Sequence, residues 1–191
     1  MDAGPDWDRL AVLAEGIRAC VRCPLHEGRR NAVPGEGGFG LRCLLVGEAP
    51  GEREDEQGRP FVGRTGAFLT RFLASLGLSR EDFFITSAVK CRPPDNRTPR
   101  PEELDICRES WLLPQMEALG PRMVVLMGGA AVRSLLGLRT PMAELHGRIV
   151  RLDGSGIPAL PTYHPTAAMR FPAVRRLAQA DWARLAELPR D

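Results

Sequence analysis

Leu41-Arg42-Cys43-Leu44-Leu45-Val46 runs into Gly47-Glu48-Ala49-Pro50-Gly51-Glu52-Arg53-Glu54-Asp55 and on through Gly58-Arg59-Pro60-Phe61-Val62-Gly63. The apolar run reads as a buried strand. Beyond Gly63, the apolar positions Phe68, Leu69, Phe72, Leu73 and Leu76 keep helical spacing. Strand, long loop, helix is the opening of an α/β unit. Loops beyond about 12–15 residues are usually functional or disordered. In open α/β sheets, sites lie beyond the carboxyl ends of strands. Glu48 held there, beside glycines that let a ligand approach the backbone, points to an active site.

Working outward, the same grammar repeats. Trp7, Leu10, Leu13 and Ile17 mark an N-terminal helix that ends at Cys20-Val21-Arg22-Cys23-Pro24. The Gly-rich stretch from Pro34 to Gly40 leads to the first strand. A second strand is expected from Phe83 to Val89, then a proline-rich loop from Arg92 to Pro101. A helix carries Leu104, Cys107, Trp111 and Leu112. A third strand spans Met123 to Met127, and Gly128-Gly129 turns it into a short helix. Strands from Ile149 to Leu152 and Ile157 to Tyr163 surround Asp153-Gly154, and a last helix runs from Pro172 to Leu188. Strands alternating with helices imply a largely parallel sheet covered on both faces.

The chain has 191 residues, 43% of them hydrophobic and 26% charged, as in a globular protein of one domain. No apolar run approaches the ~20 residues of a membrane span, and the N-terminus lacks a signal-peptide pattern. A cytoplasmic protein is expected. The net charge of +2 does not announce nucleic acid. Of 26 basic residues, 25 are Arg and Lys90 is the single lysine. Arg pairs bidentately with phosphate, so the bias is compatible with DNA without arguing for it.

Five cysteines are present. Cys43 sits inside the first strand as a small core residue. Cys20 and Cys23 form a C-x-x-C pair; Cys91 ends the second strand and Cys107 lies on the next helix. In a cytosolic chain such a set more often binds metal or acts in redox chemistry than forms disulfides. Four thiolates suit zinc or an iron–sulfur cluster. The 16-residue step to Cys107 is unlike a second zinc knuckle, and unligated thiols are the plain alternative.

Taken together, Cys20-x-x-Cys23, Gly47-Glu48-Ala49-Pro50-Gly51, Gly58-Arg59-Pro60-Phe61-Val62-Gly63, Val89-Lys90-Cys91-Arg92-Pro93-Pro94-x-Asn96-Arg97, Cys107 and His164-Pro165-Thr166 resemble the family-4 uracil-DNA glycosylases. These form the iron–sulfur branch of the uracil-DNA glycosylase superfamily. The match covers nearly the whole chain. It implies one domain over residues 1–191, a three-layer α/β/α sandwich with a central, mainly parallel four-stranded sheet. It implies a 4Fe–4S cluster on Cys20, Cys23, Cys91 and Cys107, formed by residues 20–23 and 91–107, which braces the loop from Arg92 to Pro101.

The implied reaction is hydrolysis of the N-glycosidic bond of uracil in DNA. A base inside a duplex is unreachable, so the nucleotide is flipped into a pocket. The resemblance gives Phe61 the role of stacking on uracil. It places His164 against uracil O2 as a hydrogen-bond donor. Glu48 is assigned to position or activate water and favour the cationic sugar, with Asp55 and Glu54 as second candidates. Gly47, Ala49 and Gly51 keep the backbone open to the base. Arg64 and Thr65 open a helix whose free N–H groups suit a phosphate. Lys90, Arg92, Arg97 and Arg170 are expected to face DNA. Met169 or Arg170 is expected to fill the gap left by the flipped base, and a monomer is expected.

Two departures stand out. Relatives commonly end the second strand Thr-Asn-x-Val-Lys, with the asparagine reading uracil's edge; here Ser87 takes that place. One hydroxyl has less reach than an amide, so altered base discrimination is expected. His146-Gly147 stands where relatives commonly have Arg-Gly. Three rivals bear on function. A class that becomes cross-linked to its abasic product carries the attacking histidine after the second strand, and Lys90 to Pro101 contains none. A non-catalytic iron–sulfur DNA-binding module needs neither Glu48 nor His164. A phosphate-binding enzyme would carry a Gly-x-x-x-x-Gly-Lys-Ser/Thr motif, which is absent.

Overall fold

In the computed structural model, which describes residues 4–188, the elements follow in this order. Helix α1 (Trp7–Arg18) and the single turn α2 (Leu25–Gly28) precede the edge strand β1 (Glu36–Gly37) and the central strand β2 (Cys43–Gly47). Helices α3 (Glu52–Gln57) and α4 (Arg64–Ser75) lead to β3 (Phe83–Ser87). Next come α5 (Pro101–Cys107), a π-helical segment (Arg108–Leu112), α6 (Leu113–Leu119), β4 (Met123–Met127) and α7 (Gly129–Leu136). The chain then forms α8 (Met142–Leu145), β5 (Val150–Arg151), β6 (Pro158–Thr162), α9 (Pro165–Arg170) and α10 (Pro172–Ala183). The outermost residues of the span 1–191 lie outside the described residues.

The sheet order is β1-β3-β2-β4-β6-β5. The inner four strands are parallel, with Leu45 opposite both Ile85 and Val125, and Val125 opposite Leu160. The expected four-stranded parallel sheet is therefore present, extended by two antiparallel edge strands of two residues each. Strand side chains alternate between faces. Leu44, Val46, Phe84, Val124 and Leu126 point into one apolar cluster with Ile17, Leu104, Leu112 and Leu119. Cys43, Leu45, Phe83, Ile85 and Val125 point into the other with Phe68, Leu69, Leu73 and Trp182. Helices α1, α5, α6 and α7 thus cover one face, and α4, α9 and α10 the other, which makes three layers.

The long connection after β2 is not structureless. Glu52–Gln57 forms α3, which apolar periodicity does not reveal. The Glu54 carboxylate accepts from Gly51 N at its own N-terminus (3.2 Å) and from Val62 N and Gly63 N (both 2.8 Å). One side chain therefore closes the connection onto the start of α4. Gly58, at φ +67°, ends α3 in the left-handed conformation that glycine favours.

Candidate active site and cysteine cavity

The carboxyl ends of β2, β3 and β6 converge on a cavity of about 140 Å³. Ala49, Pro50, Gly51, Phe61, Ser87 and His164 line it, with Val33, Glu54, Pro60, Thr65 and Thr166. Phe61 is the flat wall. Its backbone sits at φ +51°, which is unusual for a residue with a side chain. Three features hold it there. Arg80 donates to the carbonyls of Phe61 (3.1 Å) and Pro60 (2.9 Å). A Cβ on Gly66 would lie 1.8 Å from the Phe61 carbonyl oxygen, so only glycine admits that approach. A Cβ on Gly47 would lie 2.7 Å from the Phe61 ring, so Gly47 serves the site by making room beneath the ring.

His164 follows β6 and caps α9. Its ring centroid is 6.0 Å from that of Phe61, tilted by 32°. Nδ1 accepts from the Thr166 amide (3.2 Å) and lies 3.1 Å from Thr166 Oγ1, which is 3.1 Å from Thr65 Oγ1. A backbone N–H can only donate, so Nδ1 is the acceptor and the neutral ring carries its proton on Nε2. Burial lowers the His164 pKa to about 4, which keeps the ring neutral near pH 7. The residue is thus a neutral hydrogen-bond donor.

Beyond His164 the cavity opens into a groove lined by Glu48, Glu52, Pro93, Asn96, Arg97, Ala167, Arg170 and Phe171. Glu48 lines this groove and not the smaller cavity. Burial raises its carboxyl pKa, and a hydrogen bond from Thr98 pulls it partly back.

Other residues singled out by the sequence lie differently. Asp55 is 2% exposed and does not line the cavity. Its carboxylate accepts from Arg30 N (2.9 Å) and Asn31 N (3.3 Å), which pins the segment before β1 to α3. Lys90 does not face a DNA surface; it is 1% exposed and donates to Thr86 Oγ1 and to the Ser87 carbonyl. Arg97 lines the groove with its guanidinium clamped on buried Glu103 (2.9 and 2.7 Å). Arg92 donates to Asn96 Oδ1 (2.9 Å), while Arg64 and Arg170 are exposed. Met169 packs against the core; the exposed apolar side chain on the rim is Phe171, at 57%. His146 pairs with Asp181 (3.0 Å), which also accepts from Thr162 (2.8 Å), so it braces β6 against α10.

A second cavity lies on the sheet face that α1 and α5 cover. Cys20, Cys23, Cys91 and Cys107 all line it, walled by Ile17, Leu25, Val89, Lys90, Ile106 and Trp111. Each sulfur meets one N–H. Trp111 Nε1 donates to Cys20 (3.2 Å) and Arg29 Nη1 to Cys91 (3.0 Å). The backbone N–H of Leu25 donates to Cys23, and that of Lys90 to Cys107. Burial pushes up the thiol pKa of Cys23, of Cys91, and of Cys107, the last to about 12. The π-helical turn after Cys107 brings Trp111 into place, and nothing in its local sequence signals that contact. Among the described residues no three His, Cys, Asp or Glu side chains gather around a single metal-ion position. No helix there is long and apolar enough to cross a membrane.

The family model of the uracil DNA glycosylase superfamily matches residues 34–186. The chain is 46% identical to the type-4 uracil-DNA glycosylase of Pyrobaculum aerophilum over 180 residues, 91% of each chain. It is 42% identical to the enzyme of that name from Thermotoga maritima, over 84% of this chain and 83% of that one. Against that from Saccharolobus solfataricus it is 40% identical, over 94% and 86%. With its cavity at the strand ends and this match over most of its length, the chain belongs to the uracil DNA glycosylase superfamily.

Proposed function

We infer that the chain is a DNA-repair glycosylase that draws uracil out of DNA and hydrolyses its N-glycosidic bond, leaving an abasic site. One observation carries this reading. A small cavity backed by an aromatic ring has a neutral histidine donor at its mouth, and it opens onto a groove holding a carboxylate and arginines.

Phe61 offers its face to the flipped base, and Ser87 offers one hydroxyl to its edge. As the bond breaks, negative charge grows on uracil and positive charge on the sugar. His164 Nε2–H donates to uracil O2. The Thr166 amide on Nδ1 holds that tautomer before the reaction starts, so no reorganisation is needed at the moment of bond breaking. Glu48, on the groove side, orients water and favours the cationic sugar; its raised pKa marks a carboxylate that is incompletely solvated. Arg64, Arg92 and Arg170, with the start of α4, meet phosphates. Arg97 acts through Glu103 to set the shape of the groove wall.

The cysteine cavity fits a 4Fe–4S cluster. Four cysteine thiols lining one cavity are the donor set that such a cluster would take. The apolar walls and the N–H on each sulfur suit thiolates bound to iron. Cys20, Cys23, Cys91 and Cys107 would hold the cluster, which would cross-link the segment after α1, the segment after β3 and the end of α5. Free cysteines fit a reducing, cytoplasmic setting. One chain carries the whole site, which fits a monomer.

The test is base release from an oligonucleotide with one uracil, followed by alkali cleavage, beside thymine and cytosine controls. Uracil-specific breakage is expected, with the Ser87→Asn variant discriminating more sharply against cytosine and thymine. Iron-loaded protein that binds the oligonucleotide and releases no base would contradict the reading.

A further inference from the structure

Lys90 is the only lysine in the chain, and it lies inside the molecule. A buried ammonium is costly unless charge and hydrogen bonds compensate it. Its amine donates to Thr86 Oγ1 (2.5 Å) and to the Ser87 carbonyl (2.9 Å). Burial, the largest effect, lowers the pKa of its amine to about 8, and the nearby thiols of Cys107 and Cys91 act against that. The residue lines the cysteine cavity, and its backbone N–H donates to Cys107. Its carbonyl accepts from Val33 N (2.7 Å). Val33 and Ser87 both line the other cavity. One residue thus touches the cysteine site at two points and the walls of the base-sized cavity at two more.

We propose that Lys90 is the internal counter-cation of the group held by the four cysteines, and that it couples occupancy of their cavity to the position of Ser87 in the base pocket. This rests on the cluster reading above. Four thiolates leave such a group net negative, and that charge fixes the ammonium between the sulfurs and the Ser87 carbonyl. When the group is lost, the ammonium is under-compensated in an apolar wall, and the Ser87 carbonyl loses a firmly held donor. Lys90 is therefore a positioning residue, and it touches neither base nor sugar.

The experiment follows iron and sulfide content under a chelator in wild type, Lys90→Met and Lys90→Arg. It is paired with amide hydrogen exchange of residues 84–90 in loaded and stripped protein. Loss of iron about 10–100-fold faster in Lys90→Met is expected, the range typical of groups that support metal ligands. Lys90→Arg, which keeps the charge, should fall between. Stripping wild type should raise exchange at residues 84–90 before the rest of the sheet. Equal iron retention in Lys90→Met and wild type overturns the proposal, as does exchange that is unchanged on stripping or that rises uniformly. If Lys90→Met does not fold, the exchange comparison on wild type decides alone. Neither readout uses base release, so loaded but inactive protein refutes the glycosylase reading and leaves this one standing. Wild type that takes up no iron and sulfide removes the cluster reading and this proposal together.

Discussion

Around the cysteine cavity stand large apolar residues, Ile17, Leu25, Val89 and Trp111, and each sulfur already has an N–H partner. Around the base-sized cavity stand the smaller residues Ala49, Pro50, Gly51 and Pro60, with one aromatic residue, Phe61, whose backbone is held at positive φ. The first, with apolar walls and paired sulfurs, suits the fixed group inferred for it. The second, with a flat aromatic wall and a donor whose proton is already placed, suits the base inferred for it. The two meet at the exit of β3, where Ser87 lines one and Lys90 and Cys91 line the other.

The contrast can be broken first at His164. His164→Ala should lower single-turnover uracil release by about 10²–10³, the usual effect of removing one preorganised donor. Iron content should stay at the wild-type level. Loss of iron in that variant would show that the two cavities are not separable.

Gly66→Ala comes next. The added methyl would sit 1.8 Å from the Phe61 carbonyl oxygen, so the Phe61 turn must shift. Overpacking of this kind costs about 1–3 kcal/mol, and a misplaced wall should slow release on the order of 10²-fold. Thermal melting and release rates check both.

Gly16→Ala probes the other cavity in the same way. Alanine inside a helix is normally better than glycine by about 0.5–1 kcal/mol. Here its methyl would lie 2.7 Å from the Trp111 ring, whose N–H serves Cys20. Faster iron loss under chelator is expected, with release unchanged while iron remains.

The smallest effect belongs to Thr98→Val. Thr98 lowers the Glu48 pKa against the burial that raises it. Removing the hydroxyl should move the acid limb of the pH–rate profile to higher pH and leave the plateau in place. His164 contributes lower down. Its folded pKa, about 4, lies below the unfolded value of about 6.5. The unfolded chain therefore binds the proton first, and stability falls as pH drops from about 6.5 toward 4. A pH series of melting temperatures reads that slope.

The parallel strands were legible because Leu44-Leu45-Val46 and Val124-Val125-Leu126 are continuous apolar runs, as strands buried on both faces require. The four cysteines, Glu48 and His164 stood out in the sequence by residue type, and the structure gathers the cysteines around one cavity and sets Glu48 and His164 along one groove. Helix α3 was not, since Glu52-Arg53-Glu54-Asp55-Glu56-Gln57 has no apolar face and stands by its caps. The edge strands, at two residues each, fall below any periodic signal. Lys90 misleads for a physical reason. A lysine beside Arg92 reads as a basic patch, and only tertiary packing turns it inward. Asp55 likewise reads as a site acid until the fold brings the Arg30 and Asn31 amides onto it. Phe171 was passed over because exposure, not identity, is what marks it.

The most direct measurement is the pH–rate profile of single-turnover uracil release by iron-loaded wild type and Glu48→Gln. Wild type should hold a plateau near neutral pH and decline on the acid side as Glu48, and then His164 near pH 4, take up protons. Glu48→Gln should be slower by about 10²–10⁴ and lack the upper step. A Glu48→Gln profile that matches wild type in rate and shape would contradict the account.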